Sequence, residues 1–271
     1  MRPILLFLFL LTAFTGAAQW FPQANPLHKK NFKKVAAKKY TMAFEYELVE
    51  GEKILARVVE FGAAGLPAAL YEKGVNENGD STNTFETIYK FDGAGRLIRE
   101  SNTDNDGEGW DNVCTYSKND KLLKKYTVTI DPATTSYTYN AAGKLTKTFT
   151  TLKMPALNED GEPTGKTVEK PHERKTFSYD KNGRLKEQFV YNLMYAEGAK
   201  KWSYKMLWTF NTSNQLIKLQ YINDEGETYN LITFQYNKDG LLIKSTMQAD
   251  EEPLKRFVYE YCTTCKQSWM Q

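Results

Sequence analysis

The chain is poor in the residues that carry most site chemistry. It has three cysteines (Cys114, Cys262 and Cys265) and two histidines (His28 and His172) in 271 residues. Three cysteines are too few for a disulfide scaffold, and an odd count leaves one thiol unpaired. Two histidines without zinc-ligand spacing exclude a sequence-evident zinc centre. Charge of one sign is also lacking: 36 Lys and Arg stand against 33 Asp and Glu, a formal +3. So even a balance gives no general pull toward nucleic acid or an anionic membrane. After Leu11 no stretch is apolar enough to cross a bilayer as a helix. Phosphate-binding glycine motifs are missing, no carboxylate pair stands out from scattered acidic turns, and His172 has no nucleophile placed beside it. The sequence therefore reads as a non-enzyme without a cofactor.

The beginning of the chain has its own pattern. Arg2 precedes an apolar run from Ile4 to Leu11, and small residues follow at Gly16-Ala17-Ala18. This is the make-up of a secretory signal peptide, residues 1–18, cut before Gln19. Loss of Arg2 leaves 35 − 33 = +2 on the mature chain. Residues 19–40 form a basic leader with Lys29, Lys30, Lys33, Lys34, Lys38 and Lys39. Such a run is a solvated lead-in to the first strand or a contact for an anionic surface. The expected location is exported: periplasmic, surface-associated or secreted, with no transmembrane span.

What the chain does have is a repeat, which spans residues 41–271. Phe91-Asp-Gly-Ala-Gly-Arg-Leu97, Tyr139-Asn-Ala-Ala-Gly-Lys-Leu145, Tyr179-Asp-Lys-Asn-Gly-Arg-Leu185 and Tyr236-Asn-Lys-Asp-Gly-Leu-Leu242 are the clear copies. Tyr116 to Leu122 and Phe210 to Leu216 follow the same plan, and Phe61-Gly-Ala-Ala-Gly65 is degenerate. A period of roughly 25–30 residues points to a repeat architecture. Asp or Asn at the first turn position and glycine at the fourth suit a type I turn ending left-handed, the three-residue hairpin loop with a glycine bulge. Gly65, Gly95, Asp120, Gly143, Gly183, Asn214 and Gly240 fill the left-handed position, all of types that tolerate positive φ. In this register the aromatic and the leucine pair across the hairpin.

Alternation places Tyr89, Cys114, Tyr137, Phe177, Trp208 and Phe234 on the same face as the repeat aromatics, among them Phe210 and Tyr236. The intervening residues Lys90, Thr115, Thr138, Ser178, Thr209 and Gln235 point the other way. The fold class is all-β: an array of antiparallel β-hairpins forming one large curved meander of about fifteen strands. Twist makes so large a sheet curl, split or close on itself, and partial and full closure both remain open. At the far end, acidic and longer loops are expected at Asn76–Asp80, Asn105–Glu108, Asn158–Glu162, Asn223–Glu227 and Asp250–Pro253. Residues 152–175, rich in Pro, Gly and charge, read as a long inserted loop.

Tyr179-Asp-Lys-Asn-Gly-Arg-Leu185 and Phe91-Asp-Gly-Ala-Gly-Arg-Leu97 resemble the YD repeats of the RHS family, whose core is Y-D-x-x-G-R-L. The resemblance covers most of Tyr46 to Tyr261. It implies a β-hairpin array in a secreted bacterial protein. The toxin-enclosing shell of large RHS proteins does not carry over to a chain this short.

Three candidate sites follow. Two residues past each repeat leucine stand Arg99, Lys124, Lys147, Glu187, Lys218 and Lys244, which simple alternation puts on the aromatic face. With Tyr89, Tyr137, Phe177, Trp208, Phe210, Phe234 and Tyr236 they form a basic aromatic groove for an envelope glycan, peptide or protein. The alternatives are lysine stems lying along core rings, or a bulge that turns the cations outward. Repeated cations also argue against a lipid-facing band. In Tyr261-Cys-Thr-Thr-Cys265 the two cysteines occupy the first and fourth turn positions, within disulfide reach; a staple between Cys262 and Cys265 is expected, and Cys114 reads as a buried small hydrophobe. Asn102, Asp104 and Asp106 before Gly107 have the spacing of the start of a calcium loop, but Val113 stands where a bidentate Glu belongs.

Overall fold

The computed structural model describes residues 34–75, 81–129, 132–158, 160, 162–193, 202–250 and 252–265. The signal peptide, most of the leader and the loop 76–80 lie outside the described residues. Among the described residues sixteen antiparallel strands run in sequence order. They are β1 (Met42–Val49), β2 (Glu52–Phe61), β3 (Pro67–Val75), β4 (Ser81–Phe91), β5 (Leu97–Asp104) and β6 (Gly109–Tyr116). Then follow β7 (Leu122–Val128), β8 (Ala133–Tyr139), β9 (Leu145–Leu157), β10 (Pro163–Tyr179) and β11 (Leu185–Asn192). β12 (Tyr204–Phe210), β13 (Leu216–Asn223), β14 (Thr228–Tyr236), β15 (Leu242–Ala249) and β16 (Lys255–Cys262) complete the sheet.

Each strand pairs with its neighbours in sequence, and β1 pairs with β16, so the sheet closes into a barrel. Closure removes both free edges, which a meander of this length would otherwise expose. The seam runs from Met42 opposite Cys262 to Glu47 opposite Phe257.

The hairpin turns explain the repeat. All seven left-handed positions have positive φ, between 60° at Asp120 and 77° at Gly183. At each turn the register slips by one residue just before the aromatic, as between Lys90 and Phe91 or between Ser178 and Tyr179. The first turn residue caps the bend: Asp92 Oδ1 accepts from the backbone N–H of Ala94 (3.0 Å) and of Arg96 (2.9 Å). The opposite rim uses the same bend rather than longer loops after β5 and β13, and Asn158 caps Glu162 in the same way at the tip of the β9–β10 hairpin. Gly107 and Gly226 have φ of 79° and 95°, and Asp104 and Asn223 cap Glu108 and Glu227.

Residues 152–175 are not a loop. They belong to β9 and β10, a long hairpin in which Val168 faces Met154 and Pro171 faces Thr151. Its outer part runs past β8 and β11, whose pairing with it ends at Leu152 and Glu173. Above that rim no third strand among the described residues needs the missing N–H of Pro163 or Pro171. The register breaks at Pro163/Thr167 and Pro171/Glu173 absorb the rest.

The core lines the inside of the barrel. Val35, on a helical turn at residues 34–37, is fully buried with Ala43, Val59, Phe61, Leu70, Tyr89, Leu97 and Leu241. Lys38 pairs with Asp239 at 3.3 Å, so this turn sits on the rim of short bends. A second cluster joins Met206, Leu219, Tyr221, Ile232, Phe234 and Met247. A third, smaller one (Val58, Ala69 and Tyr71) lies on the outer wall of β2 and β3.

Candidate functional site

The repeat builds a belt inside the short-bend rim. The leucines at 97, 122, 145, 185, 216 and 242 are all buried there. Each repeat tyrosine reaches back one hairpin and donates its O–H to a leucine carbonyl: Tyr116 to Leu97 at 2.7 Å, Tyr179 to Leu145 at 2.8 Å and Tyr236 to Leu216 at 2.8 Å. The residue before the leucine lays its cation over the next aromatic. Arg96 covers Tyr116 at 5.2 Å, Lys144 covers Tyr179 at 5.2 Å and Arg184 covers Phe210 at 5.4 Å. These contacts join hairpin to hairpin and leave the ring faces already occupied.

The groove expected from alternation is not assembled. Tyr89, Tyr137, Phe177, Trp208, Phe210, Phe234 and Tyr236 do share one face, and it is the inner wall. Tyr89 and Phe234 are buried and the other five half-buried. Arg99, Lys124, Lys147, Lys218 and Lys244 stand on the outer wall. The bulge inserts Ile98, Leu123, Thr146, Ile217 or Ile243 between leucine and cation, so each cation pairs with the polar residue before the aromatic: Arg99 with Lys90, Lys124 with Thr115, Lys147 with Thr138, Lys218 with Thr209, Lys244 with Gln235. One extra residue resets the two-residue alternation. Arg99 then forms an ion pair with Asp111.

The inner wall also carries charge. Arg57 Nη1 donates to Glu45 at 2.7 Å and its Nε lies 3.6 Å from Glu72. Burial raises the Glu72 carboxyl, with Arg57 opposing and Glu45 adding to the rise. Beside this group is a cavity of about 10 Å³ lined by Glu45, Arg57 and Tyr259 among others, room for one water. On β5–β7, Asn112 donates from Nδ2 to Glu100 at 2.7 Å, and its Oδ1 accepts from the Thr127 hydroxyl at 2.7 Å. Burial lowers the Lys125 ammonium nearby and pushes the Cys114 thiol up to about 11. A thiol held neutral in this way is a poor nucleophile. Cys262 and Cys265 are joined by a disulfide, with Cα atoms 5.7 Å apart.

The calcium-like run is used otherwise. Asp104 caps its own turn through Asp106 N–H (3.0 Å) and Glu108 N–H, and Asn102 donates to Thr87 at 2.9 Å. Among the described residues no three His, Cys, Asp or Glu side chains group as metal ligands.

A different aromatic set faces outward, and alternation read from the repeat leucine missed it. Lys147 lies over Phe149 at 5.6 Å, Arg174 over Tyr191 at 4.0 Å and Lys205 over Trp202 at 5.4 Å. Phe189 meets Trp202 edge-on, with centroids 5.9 Å apart. Restarting the alternation at the outward residue after each bulge, Lys147 or Glu187, places Phe149, Phe189 and Tyr191 correctly. The expected loop at 152–175 hid the strand that carries Arg174.

No protein-family model matches the chain. No curated protein matches it in sequence. Among solved structures, a porin-like protein from Bacteroides uniformis is similar at a TM-score of 0.52 and 10% identity, covering 82% of this chain and 97% of that one. The Photorhabdus luminescens Tc holotoxin pore matches at a TM-score of 0.29 and 12% identity over 78% of this chain and 14% of that one. A DUF1329 family protein from Desulfovibrio piger matches at 0.26 and 7% identity over 89% and 96%. The likeness to the porin-like protein is one of fold: an antiparallel sheet closed into a barrel.

Proposed function

We propose that the chain is an exported, non-catalytic module of the bacterial cell envelope that meets its partner with the outside of its barrel. The observation that carries this reading is the division between the walls. Inward aromatics such as Tyr89, Trp208, Phe210, Phe234 and Tyr236 are packed as core, while the outer wall presents Lys124, Lys147, Lys218 and Lys244 without ion pairs among the described residues. Cations on a lipid-facing band would cost about 2–4 kcal/mol each at mid-membrane, so this wall faces water or a partner. The hairpin of β9 and β10 extends the same wall beyond the rim. The signal-peptide pattern and the porin-like fold support an envelope location. Kinship with YD-repeat proteins belongs to this proposal, supported by the tyrosine-to-leucine contacts that link successive hairpins.

The test is photo-crosslinking in the producing bacterium from outward positions (Lys124, Lys218) and inward ones (Trp208, Phe234). Adducts in the envelope fraction from outward positions alone are expected. Adducts from inward positions, or a protein retained in the cytoplasm, would refute the reading.

A further inference from the structure

The outer wall of β7–β12 gathers cations and aromatic rings. Register sets two rows side by side. One runs Lys124, Ser136, Phe149, Arg174, Tyr191 across β7 to β11. The other runs Thr138, Lys147, Thr176, Phe189, Lys205 across β8 to β12. Together they hold four cations, three aromatic rings, three hydroxyl side chains and no carboxylate. Each row spans four strand spacings, about 19 Å at 4.8 Å per strand. Within a row two residues separate the cations, so charges do not face each other across a strand pair. Among the described residues none of the four cations makes an ion pair, and the Arg174 Nε is buried without a hydrogen-bond partner. Two of them sit on the ring faces of Phe149 and Tyr191, which hold them in place.

We propose that this platform binds a carboxylated polysaccharide. The inference rests on the reading of the outer wall as the contact surface. Singly charged groups spaced along a sugar chain match single cations spaced across strands. The planar Arg174 guanidinium suits a carboxylate's two oxygens. Ser136, Thr138 and Thr176 supply donors and acceptors for sugar hydroxyls, while the rings offer apolar ground between the charges.

The experiment is binding of the mature chain to polygalacturonate at low salt, with neutral dextran and anionic phospholipid vesicles as controls. Binding to polygalacturonate alone is expected, weakening as salt screens the cations. The double variant Lys147→Gln/Arg174→Gln should bind at least about tenfold more weakly. The charge-matched Lys218→Gln/Lys244→Gln, on another part of the wall, should stay within about twofold. Equal losses in the two variants would mean general charge attraction and overturn the site. So would unchanged binding by the platform variant, or preference for vesicles. If the platform variant fails to fold, Lys124→Gln/Lys205→Gln at the platform's margins replaces it. Wild-type protein that ignores polygalacturonate while still giving outward crosslinks in the envelope would sink this inference and leave the proposed function standing.

Discussion

The phenol of Tyr139 donates a hydrogen bond to the carbonyl of Leu122, 2.9 Å away in the preceding hairpin. Lys121, next to that leucine, lies over the same ring at 5.5 Å. The repeat spacing therefore has a physical role beyond turn geometry. Aromatic, cation and leucine are placed so that each hairpin is tied to the one before it. The last hairpin joins the same belt, since Tyr261 donates to Leu242 at 2.9 Å.

Removal of one such bond should be measurable without disturbing the core. Tyr139→Phe and Tyr179→Phe keep ring and cation contact but leave a leucine carbonyl without its donor. Each is expected to cost about 0.5–1.5 kcal/mol in urea unfolding. Phe210 lacks the hydroxyl while sitting under Arg184 as the tyrosines sit under their cations. Phe210→Tyr should gain a few tenths to about 1 kcal/mol. No change in either direction would mean that these contacts are incidental to the packing.

The left-handed turn positions make a second comparison. Asn214 has φ 62°, and its Oδ1 is buried without a partner. Asn214→Gly removes both the backbone strain and the unpaired oxygen, and a gain of about 0.5–1 kcal/mol is expected. Gly183 shows the reverse: φ is 77° and an added Cβ would meet Lys144 Nζ at 2.7 Å. Gly183→Ala should lose about 1 kcal/mol or more, read as a shift in unfolding midpoint. Opposite signs at the two equivalent positions are the discriminating result.

How far the sequence could be read divides along the same physical line. Turn residues act locally, so Asp92, Gly95, Asp180 and Gly183 reveal the hairpins and the inward ring of aromatics and leucines. The side taken by Lys124 or Lys147 depends on a bulge one residue wide, and alternation counted through that bulge returns the wrong wall. The platform around Phe149, Arg174 and Tyr191 was hidden for a related reason. Pro155, Pro163, Gly165 and Pro171 make β9 and β10 look like a loop, yet they are tolerated where the hairpin has no further neighbours among the described residues. Closure is a pairing of Met42 with Cys262 across the whole chain, and no local pattern encodes it.

Cys114 offers a direct probe of the inner wall. Burial pushes its thiol up to about 11, so the native protein should react with Ellman's reagent far more slowly at pH 8 than the same protein in urea. A raised folded-state value contributes stability that is present below the ordinary thiol value near 9 and is lost as pH rises through about 11. Cys114→Ala should therefore flatten the loss of stability between pH 9 and 11. Fast labelling of folded protein at pH 8 would place the thiol in contact with solvent, against the buried position described above.

The charged group on β1–β3 gives the largest expected effect. Arg57 holds Glu45 and Glu72 together on a wall where all three are largely out of water. Arg57→Met strands two carboxylates beside each other, at a cost of about 3–5 kcal/mol near neutral pH. Glu72 is already raised by burial, with Arg57 acting to lower it. Its contribution is present below the ordinary value of 4.5 and is lost as pH rises through the folded-state value. Without Arg57 that folded value climbs further, so the variant's deficit should be small at pH 4.5 and widen toward pH 8. Urea midpoints of both proteins across this range measure it. A deficit equal at both ends would mean that Arg57 acts through packing of its stem, and that the ion group does not control stability on this wall.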